Sequence, residues 1–339
     1  MQNYIKMSKY AGMREDLVQA GGGNSSYKIN EDEMAIKASG FQLSDLNEQE
    51  GYAIVNPRLL SEAFMNCSDL DSMTEEDSKK ILQDAFVGGP RASIETFLHA
   101  MSGRYTLHTH PVVVNILTAR RGGMDILRKL FPEAIFVPYA TPGVELAKVY
   151  FKAVKEHGKM SNVIFLQNHG VVVSSETADE VIALTEKIVE IIERELRLDY
   201  SKYHTATKLA DMFPNDIIWT VSDTHVLSVY KKLGGVWNTA FCPDCVVFLG
   251  KRMLLLKENV LEEVRNFQEQ YGKPVVIDFK GQLYIAASSV KKALEIQSVL
   301  SFAAQVADAN HGYEMNYLSD REQNFLLHWE VEKYRRNMK

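Results

Sequence analysis

The sequence predicts an α/β or α+β architecture in two parts, and three observations carry that expectation. Through about the first 200 residues, short runs rich in β-branched and aromatic residues alternate with helical patterns, each run bounded by Gly, Pro, Asn or Ser. Beyond about residue 205 a second series of strand-like and helical runs begins, so the pattern divides the chain into residues 1–205 and 206–339. With 339 residues, 46% of them hydrophobic, there is apolar material for one large domain or two.

In the first part, strands are expected at residues 34–38, 52–56, 105–109, 135–137, 163–166 and 171–173. Ahead of them, Gly21-Gly-Gly-Asn-Ser-Ser26 reads as a loop of small residues. Either its backbone N–H groups form an anion-binding concavity or it is a plain structural turn; its spacing is neither GxGxxG nor a Walker loop. Residues 92–100 look helical, with Glu95 and His99 four apart on one face. Val181, Leu184, Ile188, Ile191 and Ile192 recur near helical spacing, which predicts an amphipathic helix over 176–200.

In the second part, strands are expected at 217–221, 246–249, 253–256, 275–277 and 283–286, and helices at 260–271 and 290–307. Ser319-Asp-Arg-Glu322 has the spacing of a capping box and opens a last helix, expected to end near Tyr334-Arg-Arg336. Trp219, Trp237 and Trp329 sit among apolar residues and are assigned to cores or subunit contacts.

Charge and composition narrow the function. Lys and Arg number 38 against 44 Asp and Glu, a net charge of −6, which removes the broad attraction that nucleic acid or an anionic membrane requires. No apolar run approaches a membrane span, and the first ten residues lack the apolar core of a secretory signal. Three cysteines, Cys67, Cys242 and Cys245, make no disulfide framework, as expected in the reducing cytoplasm. A small-molecule substrate is the better fit. Cys242-Pro-Asp-Cys245 has metal or redox spacing but no second CxxC beside it.

The chemistry concentrates in His108-Thr109-His110. Side chains two apart on a strand leave by the same face, so both imidazoles point at one spot and ask for a divalent metal. His169 lies in a polar break between two apolar runs, followed by a glycine suited to a tight turn. Three neutral imidazoles with an open fourth position are the recipe for a catalytic zinc-type site. On a helix packed beside that strand, Glu95 would stand near the ion as a base; alternatively it forms a surface pair with His99.

Taken in order, Gly23-Asn24-Ser25-Ser26, Lys37-Ala-Ser-Gly40, Ser93-Ile-Glu95, His108-Thr-His110-Pro, Pro138-Tyr-Ala-Thr-Pro-Gly143 and Asn168-His-Gly170 resemble the class II aldolase/adducin family over about residues 1–200. The likeness extends, through Phe241-Cys-Pro-Asp244 and the closing Trp329 region, to the aldolase half of bifunctional rhamnulose-1-phosphate aldolase/short-chain dehydrogenase proteins. No glycine-rich nucleotide loop of the dehydrogenase half follows. The resemblance implies a three-layer αβα fold with a mainly antiparallel central sheet, here with a smaller C-terminal α/β region.

It also implies roles. His108, His110 and His169 become ligands of Zn²⁺ or another divalent transition metal, and Glu95 the acid/base. Tyr139 assists proton transfer near the cleaved bond, while Gly23, Asn24, Ser39, Gly40 and Ser93 hold a phosphate. The implied reaction is cleavage of a ketose 1-phosphate of the rhamnulose- or fuculose-phosphate type through a metal-bound enediolate. Family members commonly form four-fold tetramers, so a homo-oligomer is implied. One departure is visible: the family often has two serines directly before the glutamate, whereas this chain has Ser93-Ile94 and lacks one phosphate hydroxyl. Epimerisation, decarboxylation or aldol cleavage of a sugar acid, and a non-catalytic adducin-like interaction module, are the alternatives that the same motifs leave open.

Overall fold

The computed structural model describes residues 1–234, 239–257 and 260–328. They fall into two compact units, Met1–Tyr200 and Ser201–Lys339, the division coming just before a helix at Ser201–Ala210. Among the described residues no helix is long and apolar enough to cross a membrane.

The first unit is built on eight strands: β1 (Asn24–Lys28), β2 (Met34–Lys37), β3 (Tyr52–Val55), β4 (Phe86–Gly88), β5 (Tyr105–Thr109), β6 (Ile135–Val137), β7 (Val163–Leu166) and β8 (Gly170–Ser175). Their order is β4-β3-β2-β1-β5-β8-β7-β6, and only the β6–β7 pairing is parallel. Alternation along each strand divides the core. Ala35, Leu107, Phe165, Val171 and Val173 pack on one face with the helices Gln2–Gly12, Val112–Thr118 and Ala178–Leu196. Met34, Ile36, Ala53, Ile164, Leu166 and Val172 pack on the other with Pro57–Met65, Thr96–Ala100 and Val144–His157. The result is the expected αβα sandwich, in which each fully buried aliphatic side chain contributes about 1.5–3 kcal/mol.

Two expectations are corrected here. Asn24, Ser25 and Ser26 are not loop: they open β1, pairing with His108, Leu107 and Thr106 of β5. Their small polar side chains are tolerated in a buried strand because each finds a partner, Ser25 bonding Ser8 at 2.7 Å and Ser26 bonding His99 at 2.8 Å. The helix near residue 95 is also shorter than expected, Thr96–Ala100, with Glu95 as its N-cap residue. Glu95 and His99 therefore do not share a helical face. The edge strand β4 carried no alternation long enough to be read.

The second unit has a four-stranded sheet, β9 (Ile217–Thr220), β10 (Leu254–Leu256), β11 (Val276–Phe279) and β12 (Gln282–Ala287), in the order β10-β11-β12-β9. Helices Val260–Tyr271 and Val290–Ala309 lie near the expected positions. The strand expected at 246–249 is instead the helix Pro243–Leu249. Pro243 at the first helical position needs no N–H partner and pre-sets φ, and burial of Cys245, Val246, Val247 and Leu249 on several sides makes the apolar run look strand-like. Trp219 on β9 is buried and donates Nε1–H to Gln297 at 3.0 Å. At Ser319–Glu322 the reciprocal cap forms, Ser319 N–H donating to the Glu322 carboxylate at 2.7 Å and Glu322 N–H to Ser319 Oγ at 3.3 Å. Trp237, Trp329 and the expected end of that helix lie outside the described residues.

A buried charge pair in the first unit bears on the site. Arg14 Nε and Nη2 donate to the two carboxylate oxygens of Asp16 at 2.7 Å each, and Nη1 donates to Glu186 at 2.7 Å. The segment so fixed accepts two backbone bonds: Leu17 O takes the N–H of His110 at 2.9 Å, and Asp16 O that of Val112 at 2.8 Å. Replacing Arg14 with methionine leaves the Asp16 carboxylate buried without its guanidinium. A loss of about 3–5 kcal/mol in denaturant unfolding is expected, and a loss under about 1 kcal/mol would show that the pair does not anchor this segment.

Candidate metal centre

His108 sits on β5 with Asn24 opposite it on β1 and Val172 opposite it on β8. Cross-strand partners share a face, so the Asn24 and His108 side chains emerge together, on the side that carries the helix Thr96–Ala100. His110 follows two residues later, its backbone already turned to Leu17. His169 stands in the turn between β7 and β8, where Asn168 has φ of 55° and Gly170 restarts the strand. A side chain at Gly170 would collide with the Thr109 carbonyl oxygen and press on the His110 ring. Gly23, with φ of 70°, is confined likewise: a Cβ there would stand 2.8 Å from the His108 carbonyl oxygen.

The three imidazoles converge. His108 Nε2 is 3.1 Å from His110 Nε2 and 3.3 Å from His169 Nε2, and the ligand atoms of all three lie within 4.8 Å of one another. Tetrahedral nitrogens about 2.0–2.1 Å from a shared zinc-sized ion stand roughly 3.3 Å apart. The donor chemistry agrees. His108 Nδ1 is 3.0 Å from the Val171 carbonyl oxygen, which can only accept, so Nδ1 carries the proton and Nε2 presents its lone pair. Burial, with repulsion from its neighbouring imidazoles, pushes the pKa values of His108 and His110 down to about 3 and keeps both rings neutral. These three residues fit a divalent cation.

Glu95, 7% exposed, closes the cluster: Oε2 is 3.5 Å from His108 Nε2 and Oε1 is 3.3 Å from His169 Nε2. Its orientation is set by a hydrogen-bond chain. Asn24 Nδ2 donates to Glu95 Oε2 at 2.7 Å, so Asn24 Oδ1 is the acceptor that receives His99 Nε2–H; His99 Nδ1 then accepts from Ser26 Oγ at 2.8 Å. Fully buried His99 is held far below its ordinary pKa by desolvation and the nearby His108, which suits a ring donating one proton and accepting another. The chain begins and ends on separate elements, and neither Asn24 nor Ser26 looks like a partner of His99 in sequence.

The other candidates lie at different distances from this cluster. Ser93 Oγ accepts the Glu95 N–H at 3.3 Å and faces Asn24 Nδ2 at 3.5 Å. Ser39 and Gly40 are exposed, yet the Ala38–Ala92 bridge and a 2.8 Å bond from Ser39 N–H to Arg91 O bring them beside Ser93's segment. Tyr139 is 60% exposed; its backbone N–H meets Gln167 Oε1 at 3.3 Å, and among the described residues no hydrogen bond ties its hydroxyl to the histidines. Lys37, a strand residue in the sequence reading, proves to be 4% exposed, its ammonium pKa lowered by burial and partly restored by the Glu95 charge. Only the fold brings that charge within range of Glu95.

The model of the class II aldolase and adducin N-terminal domain matches residues 2–196. The chain belongs to this class II aldolase family. The match spans most of the first unit and ends before the second. The N-terminal class II aldolase domain of a conserved protein from Thermoplasma acidophilum is 27% identical, with a TM-score of 0.50 over 57% of this chain and 92% of that one. L-fuculose-1-phosphate aldolase from Thermus thermophilus is 17% identical, TM-score 0.37, over 58% of this chain and 94% of that one. A sugar-phosphate aldolase from Thermotoga maritima is 19% identical, TM-score 0.39, over 58% and 94%. A comparison with curated proteins finds no match.

Two outcomes test the centre directly. Replacing His169 with alanine is expected to weaken binding of zinc in calorimetric titration by more than the roughly 10–100-fold typical of losing an outer partner, whereas Glu95→Gln leaves binding within about 10-fold. The depressed imidazoles also set a pH dependence for the metal-free protein. Below the ordinary histidine pKa of 6.5 the unfolded chain takes up protons that folded His108 and His110 refuse. Their contribution to stability is therefore complete above 6.5 and lost progressively as pH falls toward about 3. Denaturant midpoints measured across that window should fall with pH, and less steeply in His108→Gln; equal slopes would contradict the assignment.

Proposed function

We propose that this chain is a zinc-dependent class II aldolase of the cytoplasm, working as a homo-oligomer, that cleaves a ketose 1-phosphate of the rhamnulose- or fuculose-phosphate type. The observation that carries the reading is the Glu95 carboxylate lying 3.3–3.5 Å from the ligand nitrogens of His169 and His108. A structural cation site needs no buried carboxylate at its shoulder, and a non-catalytic module needs no open one. When bound, a divalent cation supplies Lewis-acid stabilisation of the negative charge that develops on substrate oxygens during carbon–carbon cleavage.

The protein side of the mechanism follows from its own atoms. Glu95 accepts the proton of the substrate hydroxyl whose loss starts cleavage, and returns a proton to the carbon left on the three-carbon fragment. Asn24 holds one carboxylate oxygen at 2.7 Å, so the base is already aimed before substrate arrives. Tyr139, exposed to solvent, assists proton transfer at the departing aldehyde. The phosphate is received by Gly23, Asn24, Ser39, Gly40 and Ser93, which offer hydroxyl, amide and backbone donors and little steric bulk. In this reading the first unit is catalytic and the second is an α/β extension.

One observation favours a second reading. Ile94 is half exposed directly after Ser93, where the family often carries another serine, so one hydroxyl that the first reading would give to the phosphate is replaced by an apolar side chain. A sugar acid, or an epimerase or decarboxylase reaction on the same first steps, would make less demand on that missing hydroxyl.

The test is a metal-replete assay over ketose 1-phosphates and sugar acids that detects triose phosphate, epimer and carbon dioxide. Release of dihydroxyacetone phosphate that a chelator abolishes is the expected result; epimer or carbon dioxide alone selects the second reading. Glu95→Gln should lower kcat by about 10²–10⁴-fold with zinc content retained. Full activity in that variant removes the carboxylate from the mechanism.

A further inference from the structure

The second unit carries a pair of thiols that the metal centre does not use. Cys242 and Cys245 Sγ atoms are 3.3 Å apart, while an S–S bond is about 2.0 Å long, so about 1.3 Å of approach separates the two thiols from a bond. Cys242 is the extended residue before the helix Pro243–Leu249, and Cys245 lies one turn into it, so the two side chains share a side. Their exposures differ in a useful way: Cys242 is partly exposed and Cys245 fully buried. Burial, reinforced by the neighbouring Cys242, raises the Cys245 thiol well above its ordinary range and keeps it protonated at rest. A metal reading has no support, because among the described residues no third His, Cys, Asp or Glu joins these sulfurs in a ligand group.

We propose that Cys242 and Cys245 form a reversible dithiol–disulfide couple that takes low-molecular-weight disulfides as its oxidant. The partly exposed Cys242 thiolate attacks one sulfur of the small disulfide; its new S–S bond forms as the original one breaks, and one small thiolate leaves and is protonated. Cys245 then gives up its proton and attacks the Cys242 sulfur. The Cys242–Cys245 bond forms, the mixed disulfide breaks and the second small thiolate leaves to take a proton. The protein loses two electrons and two protons, and the small disulfide is reduced to two thiols. The geometry gives the order: of the two thiols Cys242 is the one reachable from solvent, and Cys245, buried 3.3 Å from it, is placed to resolve the adduct. Cys67, in the first unit, is the internal control.

The test equilibrates the full chain with glutathione buffers of rising oxidised fraction, quenches with acid, alkylates and reads intact and peptide masses. The expected result is the joint loss of two of the three alkylatable thiols, a protein lighter by two hydrogens, a Cys242–Cys245 cross-linked peptide, and reversal by dithiothreitol. Cys245→Ser should trap a persistent single glutathione adduct on Cys242. In Cys242→Ser, Cys245 should acquire glutathione at least about 10-fold more slowly than Cys242 does in the Cys245→Ser variant. Should Cys245→Ser fail to fold by circular dichroism, Cys245→Ala gives the same readout. The proposal is overturned if both thiols stay alkylatable at ratios that already modify Cys67, if the cross-link involves Cys67, or if the pair is found holding zinc that is lost in the double serine variant. None of these readouts depends on aldolase activity.

Discussion

The site depends on one constraint, the pairing of β5 on both sides within the antiparallel sheet. With β1 and β8 fixing its register, His108 points to the face that receives the Thr96–Ala100 helix, and a slip of one residue would turn it to the opposite core. The same register lays Asn24 and Ser26 on that face, where they meet Glu95 and His99. His169 joins because the β7–β8 connection is tight enough to need a left-handed residue at Asn168 and a glycine at 170. Each geometric demand falls close in space to the three imidazoles.

That concentration has an energetic logic. Buried imidazoles, a carboxylate and an amide are costly unless each polar atom is paired, and the chain from Glu95 through Asn24 and His99 to Ser26 pairs them in one fixed direction. Holding His108 and His110 neutral prepares lone pairs for a cation but costs stability whenever protons compete. Arg14 with Asp16 and Glu186 is the counterpart for the segment that receives the His110 N–H, a charge network whose product is the position of that backbone.

Much of the first unit was legible because its buried strands are short β-branched runs with clear stops. The expected strands at 105–109, 135–137 and 163–166 coincide with β5, β6 and β7. Where local pattern competed with tertiary context it misled. Asn24, Ser25 and Ser26 have the composition of a loop and become strand because Ser8 and His99 satisfy the two hydroxyls. Residues 246–249 read as a strand's apolar run because several sides of that segment are buried at once, and they are helix because Pro243 starts one just ahead of them. Glu95 and His99 have helical spacing, yet the helix starts only after Glu95, and both side chains find Asn24.

By itself the sequence determined the kind of chemistry available: the HxH on a strand, a third histidine before a glycine, and an ordered set of motifs that names the class II aldolase family. Those are local facts, set by strand alternation and by the residues a tight turn tolerates. Only the tertiary structure decided which atoms meet: Lys37 in the field of Glu95, Asn24 between Glu95 and His99, and one chain segment pinned by Arg14 behind His110. The physical reason is that hydrogen bonds and charges act over a few ångströms in space, whereas these partners stand tens of residues apart along the chain, and only the packed sheet brings them within range.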